Sequence, residues 1–409
     1  MTPARAALLT ALALYAAAVI TALVFVPWDA AVAPWADLAA DQLAAFTPEQ
    51  VSAIEEYVAA AWLPGVLAWL APAALALVAL LVAPVRNALV RIGPHRKPFV
   101  ANVLAAAALL AATRIVTLPF VLLAAQARRD YGLLIEPWST WWLRWLGESL
   151  AFVALGALGV GIALAVMRRW PQRGWIAVVA GAVLVALATS AVIPLIQRLE
   201  GTAADAALTA RVIAMADRIG VDVGTVTVVE MADRSPVINA HVSGWGPTRA
   251  VTIYDTVSGT ASPAEIDALV AHELIHVREG DVALGTLLAG LAAGGTAALA
   301  AGLVLSRRVR ARLGASSPGD ARMVPLVVAA ALVASLVGSI GAVTVSRALE
   351  ARTDREALAF TGDPQAYADL LVRLAVTNKS TLEPPRWRYA LLFTHPTPLQ
   401  RLALLGQAR

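Results

Sequence analysis

Seven apolar stretches, near residues 6–26, 61–84, 99–125, 149–167, 174–196, 282–305 and 323–345, constrain what this chain can fold into more than any other feature. Each reaches the roughly 20 residues that an α-helix needs to cross the hydrocarbon core of a bilayer. The expected fold is therefore mainly α-helical and multi-pass, with about seven transmembrane helices. Composition agrees, since 59% of the 409 residues are hydrophobic and only 15% are charged, and a mean hydropathy of +0.71 lies outside the range of soluble domains. The first stretch carries Arg5 ahead of its apolar run, as a signal peptide would, but the chain goes on crossing the membrane and the stretch is expected to stay as an anchor. Trp138, Trp141, Trp142, Trp145, Trp170 and Trp175 stand at span edges, where amphipathic rings favour the headgroup level. The net charge of +4 comes from basic residues in short clusters beside the spans, a membrane pattern that argues against nucleic acid as a partner. Only Lys97 and Lys379 accompany the many arginines, and alanine abounds, which suggests a GC-rich, bacterial genome.

Two stretches interrupt the apolar pattern. Residues 201–281 open with a helix-like segment that Gly220 should cap, followed by strand-like "TVTVVE" (225–230), "VINAHVSG" (237–244) and "AVTIYD" (250–255). Residues 346–409 open with the helical "SRALEARTDREALAF". The two spans between them form a hairpin through the membrane, so both stretches emerge on one side and can build one small α+β domain. The division expected is an N-terminal membrane domain, 1–200, with about five spans, and a second domain, 201–409, that includes the spans near 282–305 and 323–345.

The second domain holds "VAHELIHVREGD" (270–281). Upstream, "SPAE" at 262–265 reads as a capping box, with Ser262 as N-cap, Pro263 at the first helical position and Glu265 at N3, so the stretch should be helical and close near Gly280. On a helix His272 and His276 are one turn apart and project from one face, where both imidazoles can reach a single ion. Glu273 is rotated from them by about 100°, close enough to touch a water on that ion without displacing it. This HExxH pattern is the zincin arrangement; two histidines on a helix surface beside an ordinary glutamate would be the bland alternative. With no cysteine in the chain, a transition metal must be held by His, Asp and Glu. A catalytic zinc needs a third protein ligand. Glu350, directly after the seventh span, is the best candidate and Glu356 its competitor, whereas His95 belongs to a basic loop on the other face. Asp354, one turn beyond Glu350, could accept a hydrogen bond from the outer nitrogen of a ligating histidine, unless this acidic face only pairs with Arg352 and Arg355.

Together "HELIH", "SRALEARTD" and "THPTPLQR" resemble the integral-membrane CAAX prenyl endopeptidases of type 1, gluzincin zinc proteases related to the HtpX-like membrane proteases. The likeness extends to "LPFVLLAAQARRDYGL" (118–133), "IPLIQRLEG" (193–201) and "SPVINAHVSGWGPTRAVTIYDT", while the first hundred residues match only in character. The resemblance implies a zincin-type catalytic domain and one Zn2+ per chain, ligated by His272, His276 and Glu350. It makes Glu273 the general base, Asp354 the acid behind the ligands, His395 the donor to the tetrahedral oxyanion and Arg401 the brace of the C-terminal tail. Asn239 and Ala240 would lie on a strand whose free edge pairs with extended substrate. Read by themselves, His395 is equally a loop histidine before proline and Asn239 a turn residue. Ile275, where the family has a small residue, His241, where an aromatic is common, and the tail "HPTPLQR", without the usual paired proline, put substrate shape rather than chemistry in question.

The function expected is a zinc-dependent endopeptidase that cleaves membrane-associated or extended peptides by Glu-assisted attack of zinc-bound water. The resemblance also implies helices around a hydrated chamber, which Arg114, in mid-span, would face unless it meets a polar partner. An inactive zinc-binding scaffold is the alternative, and a transporter a weaker one, since the ionisable residues gather outside the spans. Arg5, the cluster Arg86, Arg91, Arg96 and Lys97, then Arg168, Arg169 and Arg173, and the group from Arg307 to Arg322 share the amino-terminal side. The opposite segment 27–60 has no lysine or arginine and carries Asp29, Asp37, Asp41, Glu49, Glu55 and Glu56. The charge rule puts the amino terminus in the cytoplasm and the zinc site outside; the resembled family's orientation would put the site inside.

Overall fold

A computed structural model describes residues 1–31, 42–94, 96–244 and 249–406, with side chains described there except at 193–195 and 197–200. His95, Asp37 and Asp41 lie outside the described residues.

The elements in chain order are α1 (Pro3–Phe25), α2 (Pro48–Leu81), α3 (Ala83–Arg91), α4 (Pro98–Asp130), α5 (Trp138–Arg169), α6 (Gly174–Glu200), β1 (Thr202–Ala203), α7 (Ala206–Ile219), β2 (Thr225–Val229), β3 (Ala240–Ser243), β4 (Ala250–Tyr254) and α8 (Asp255–Ser258). They continue with α9 (Pro263–Arg278), α10 (Asp281–Leu305), α11 (Arg307–Leu313), α12 (Val324–Thr361), α13 (Pro364–Thr377), α14 (Arg386–Leu392) and α15 (Pro398–Gly406). Among the described residues seven helical segments are long and apolar enough to cross a membrane, in α1, α2, α4, α5, α6, α10 and α12. They are the seven anticipated, but several outrun their apolar stretch. α2 begins at Pro48 instead of near 61, because Thr47 and Gln50 form a full capping box with proline at the first turn. α12 runs unbroken to Thr361, where Gly362 takes a left-handed conformation (φ 65°).

These extensions carry the membrane helices into the soluble part. Ile54 from the first turns of α2, with Phe46 before it, is buried in the same apolar core as Val212, Ile253, Leu274, Ile275 and Leu371. A second core lies in the bundle, where α1 packs on α10 and α2 on α4. There a side chain at Gly302 would meet Leu8 at 2.7 Å, so the small residue permits the approach of the two helices. Arg114 of α4 meets the polar partner that a mid-span arginine needs: its Nε donates to Ser149 Oγ of α5 at 2.9 Å. Trp141 is turned inward and buried, whereas Trp142 and Trp170 are exposed.

The sheet has order β1-β2-β4-β3. β2 and β4 are parallel, β1 and β3 antiparallel to their neighbours. β1 has two residues and carries no periodicity from which the sequence could announce it, and the third expected strand is regular only over Ala240–Ser243. β3 is one of the two outer strands, with its far side unpaired by any strand among the described residues. The approach to β3 is tied to the membrane bundle, since Ser235 Oγ donates to the Leu133 carbonyl at 2.8 Å and the Ile135 amide to the Arg234 carbonyl at 3.0 Å.

Candidate metal centre

α9 starts at the Ser262 capping box, in which the Ser262 hydroxyl accepts from the Glu265 amide and the Glu265 carboxylate from the Ser262 amide. Glu265 also holds Arg373 of α13 at 2.7 Å. The far end closes at Gly280, whose left-handed φ of 74° lets α10 begin at Asp281. Leu274 and Ile275 are fully buried against the sheet and α7, which leaves His272, Glu273 and His276 on the opposite side, facing α12 and the tail.

There His272 and His276 meet Glu350. One ligand atom from each lies within 4.8 Å of the others, and no further His, Cys, Asp or Glu joins this group among the described residues. The Nε2 atoms of the two histidines are 3.2 Å apart, and Glu350 Oε2 is 3.1 Å from His272 Nε2. Two imidazole nitrogens and a carboxylate oxygen on one small volume is a donor set that suits zinc. Glu356, the competitor, points elsewhere, pairing with Arg278 and lying 3.9 Å from Arg352.

The outer ring nitrogens are also engaged. His272 Nδ1 is 3.1 Å from Asp354 Oδ1 and 3.2 Å from the Tyr367 hydroxyl, which itself donates to Asp354. Arg401 of α15 donates to both Asp354 oxygens, at 2.8 and 2.6 Å. His276 Nδ1 is 2.7 Å from Asp281 Oδ2, which Arg352 holds at 2.6 Å. Such carboxylates keep the proton on Nδ1 and turn the Nε2 lone pair inward. Asp281 and Tyr367 were not singled out from the sequence. The signal for Asp281 was its place five residues after His276, just past a glycine that must turn the chain; Tyr367 had none, because α13 meets α9 only in three dimensions.

The charge balance favours a cation. Burial would lower the pKa of His276, but the Asp281 and Glu350 carboxylates push it up to about 10. His272 is raised likewise, Asp354 and Glu350 outweighing burial. For Glu273 burial dominates and pushes the carboxyl up, toward the range in which a base can both accept and return a proton.

Glu273 and His272 line a cleft of about 480 Å³ walled by Ile238 and Asn239, by Leu370, Leu371 and Leu374 of α13, and by the loop from Phe393 to Pro398. His395 is half-exposed, with Nε2 3.3 Å from Glu350 Oε1 and Nδ1 2.8 Å from Thr394 Oγ1. Asn239 is exposed on the cleft wall just before β3, while Ala240 begins that strand and is buried.

Comparison with known proteins points the same way. The sequence profile described as peptidase family M48 matches residues 202–408, slightly more than half of the chain. An uncharacterized metalloprotease of Bacillus subtilis, YhfN, is 25% identical over 48% of this chain and 46% of its own length. A protease HtpX homolog of Ralstonia nicotianae is 30% identical over 39% of this chain and 52% of its own. The chain thus spans about half the length of these curated relatives. The crystal structure of Ste24p from S. mikatae superposes with a TM-score of 0.75 over 99% of both chains at 16% identity, a likeness of fold across membrane and soluble parts alike.

Proposed function

The chain belongs to peptidase family M48, and from that premise we propose that it is a zinc-dependent membrane endopeptidase acting on extended or membrane-associated peptides. The observation that carries this is the convergence of His272, His276 and Glu350 beside Glu273, with His272 and Glu273 lining a cleft that reaches Asn239 at the start of an outer strand. Residues 1–200 serve as the membrane domain and 201–409 as the peptidase domain.

His272, His276 and Glu350 hold one zinc, with Asp354 and Asp281 fixing the tautomers of the two rings. Zinc, when bound, supplies a Lewis acid that polarises the scissile carbonyl and makes water more acidic. Glu273 takes the proton of the attacking water and passes it to the leaving amine, for which a carboxyl raised by burial is suited. His395, half-exposed beside Glu350 at the cleft, donates to the developing oxyanion. Arg401 neutralises Asp354 and anchors the tail that presents His395. Asn239 offers its side-chain amide and Ala240 its outward backbone groups to an extended peptide at the edge of β3.

The zinc site faces the extracytoplasmic side. α3, α11 and the Ala321–Met323 turn gather Arg86, Arg91, Arg307, Arg308, Arg310, Arg312 and Arg322 at the end of the bundle away from α9, and short-loop arginines mark the cytoplasmic face. The test is metal analysis and peptide cleavage by the full chain in detergent. Protein with one zinc per chain should cleave unfolded casein and stop when a chelator removes the metal; metal-replete protein that leaves a broad panel of peptides intact would refute the proposal.

A further inference from the structure

The outer strand is not open along its whole length. The Asn239 carbonyl accepts from the Tyr254 amide at 3.0 Å, and His241 stands opposite Thr252. Antiparallel ladders alternate, so Asn239 and His241 turn their peptide groups toward β4, whereas Ile238, Ala240 and Val242 turn theirs outward. At Ile238 the outward position is taken. The Asn378 side chain accepts from the Ile238 amide at 3.0 Å and donates to the Ile238 carbonyl at 3.0 Å. One carboxamide thus makes the pair of bonds that the N–H and C=O of one facing substrate residue would make.

Asn378 is held firmly for this. It caps α13, its amide bonding to the Leu374 and Val376 carbonyls, and the next residue, Lys379, has φ 52°, a conformation that residues other than glycine seldom enter. α13 itself is pinned to α9 through Arg373 on Glu265 and Tyr367 on His272. The carboxamide is therefore fixed relative to the metal ligands as well as to the strand.

We infer that Asn378 ends the strand-pairing groove at Ile238, so that a peptide on the edge of β3 pairs at Ala240 and Val242 and must leave the edge at Ile238, which makes Asn378 a determinant of how many substrate residues are read on that side of the scissile bond. The inference rests on the proposed peptidase function. A residue that only braced the segment before β3 would affect stability, and would not affect the dependence of rate on peptide length.

The experiment takes one scissile bond mapped by mass spectrometry in casein digested by the full-length zinc protein, and measures kcat/KM for synthetic peptides lengthened one residue at a time at either end. For the wild type, the series that grows past Ile238 should reach a plateau as soon as the residue pairing at Ala240 is present. Asn378→Ala should move that plateau outward, with kcat/KM rising by a further factor of about 3 to 10 on adding the next one or two residues, the worth of one or two backbone hydrogen bonds. The series at the other end should be unchanged. Zinc content and thermal midpoint are read in parallel. If Asn378→Ala loses zinc, Asn378→Ser, which removes the carboxamide and frees both the Ile238 amide and its carbonyl, takes its place and should show the same outward movement. Identical length profiles in wild type and a zinc-replete variant overturn the role of Asn378 and leave the peptidase function standing; a zinc-replete wild type with no cleavage overturns both.

Discussion

Asp354→Asn separates two effects that meet at one carboxylate. In the structure Arg401 and Tyr367 donate to Asp354, which leaves its remaining acceptor capacity for the Nδ1–H of His272. An asparagine that keeps its single oxygen on Arg401 Nε places its NH2 where Oδ1 now faces the imidazole and the Tyr367 hydroxyl. Nδ1 then becomes an acceptor, the ring proton moves to Nε2, and the lone pair meant for the metal is lost. Loss of such a partner typically weakens metal binding by about 10–100-fold, or roughly 1.4–2.8 kcal/mol. The second effect is on folding, since Asp354 is 2% exposed and Arg401 15%, and the substitution leaves a buried guanidinium without its counter-charge, a change that costs about 3–5 kcal/mol. Competition with a chelator of known zinc affinity should show the first effect, and a lower thermal midpoint of the zinc-saturated protein in detergent the second. Adding Arg401→Gln to Asp354→Asn should restore most of the midpoint and none of the affinity. Wild-type zinc affinity in Asp354→Asn would refute the tautomer argument, whatever the midpoint does.

Glu350→Ala should abolish stoichiometric zinc, read by metal analysis after dialysis, while Glu356→Ala, which removes only a surface partner of Arg278 and Arg352, should retain it; the opposite outcome would mean that the ligand register is wrong. Although burial alone would raise the pKa of Glu265, Arg373 and the Ser262 amide and hydroxyl hold it below the usual range. A lowered folded pKa stabilises above the unfolded value of about 4.3 and ceases to as pH falls through the folded value. Glu265→Gln should therefore unfold more readily than wild type from about pH 5 to 8 and converge with it only as pH falls below the lowered folded value, and a gap that persists in stronger acid would exclude the ion pair as its source. Alkaline phosphatase fused after Arg409 should be active in cells, whereas signal from a cytoplasmic reporter at that position would reverse the assigned orientation.

What could be read in the sequence followed the range of the interactions. The seven spans rest on apolar length, and α9 on a capping box, a glycine and one helical turn between two histidines, all local patterns. α2 shows how a length criterion fails at an end: the apolar stretch marks where lipid begins, while the helix starts where Thr47, Pro48 and Gln50 satisfy its first amides. Glu350 and Asp354 could be guessed because a helix leaving the membrane carries both on one face. Tyr367 and Asn378 could not, since His272 and Ile238, which they touch, lie 95 and 140 positions away in the chain. Asp281 stood between, local enough to find by asking which acceptor lies within reach of His276 across the turn at Gly280.

The central claim, a zinc-dependent hydrolysis with Glu273 as the base, meets its most direct test in Glu273→Gln. Glutamine preserves size and leaves His272, His276 and Glu350 in place, but its amide cannot accept the proton of the attacking water. Purified side by side in detergent, wild type and variant should carry the same one zinc per chain, while the rate of peptide hydrolysis falls by at least about a hundredfold. Hydrolysis by zinc-loaded Glu273→Gln at the wild-type rate would contradict the account.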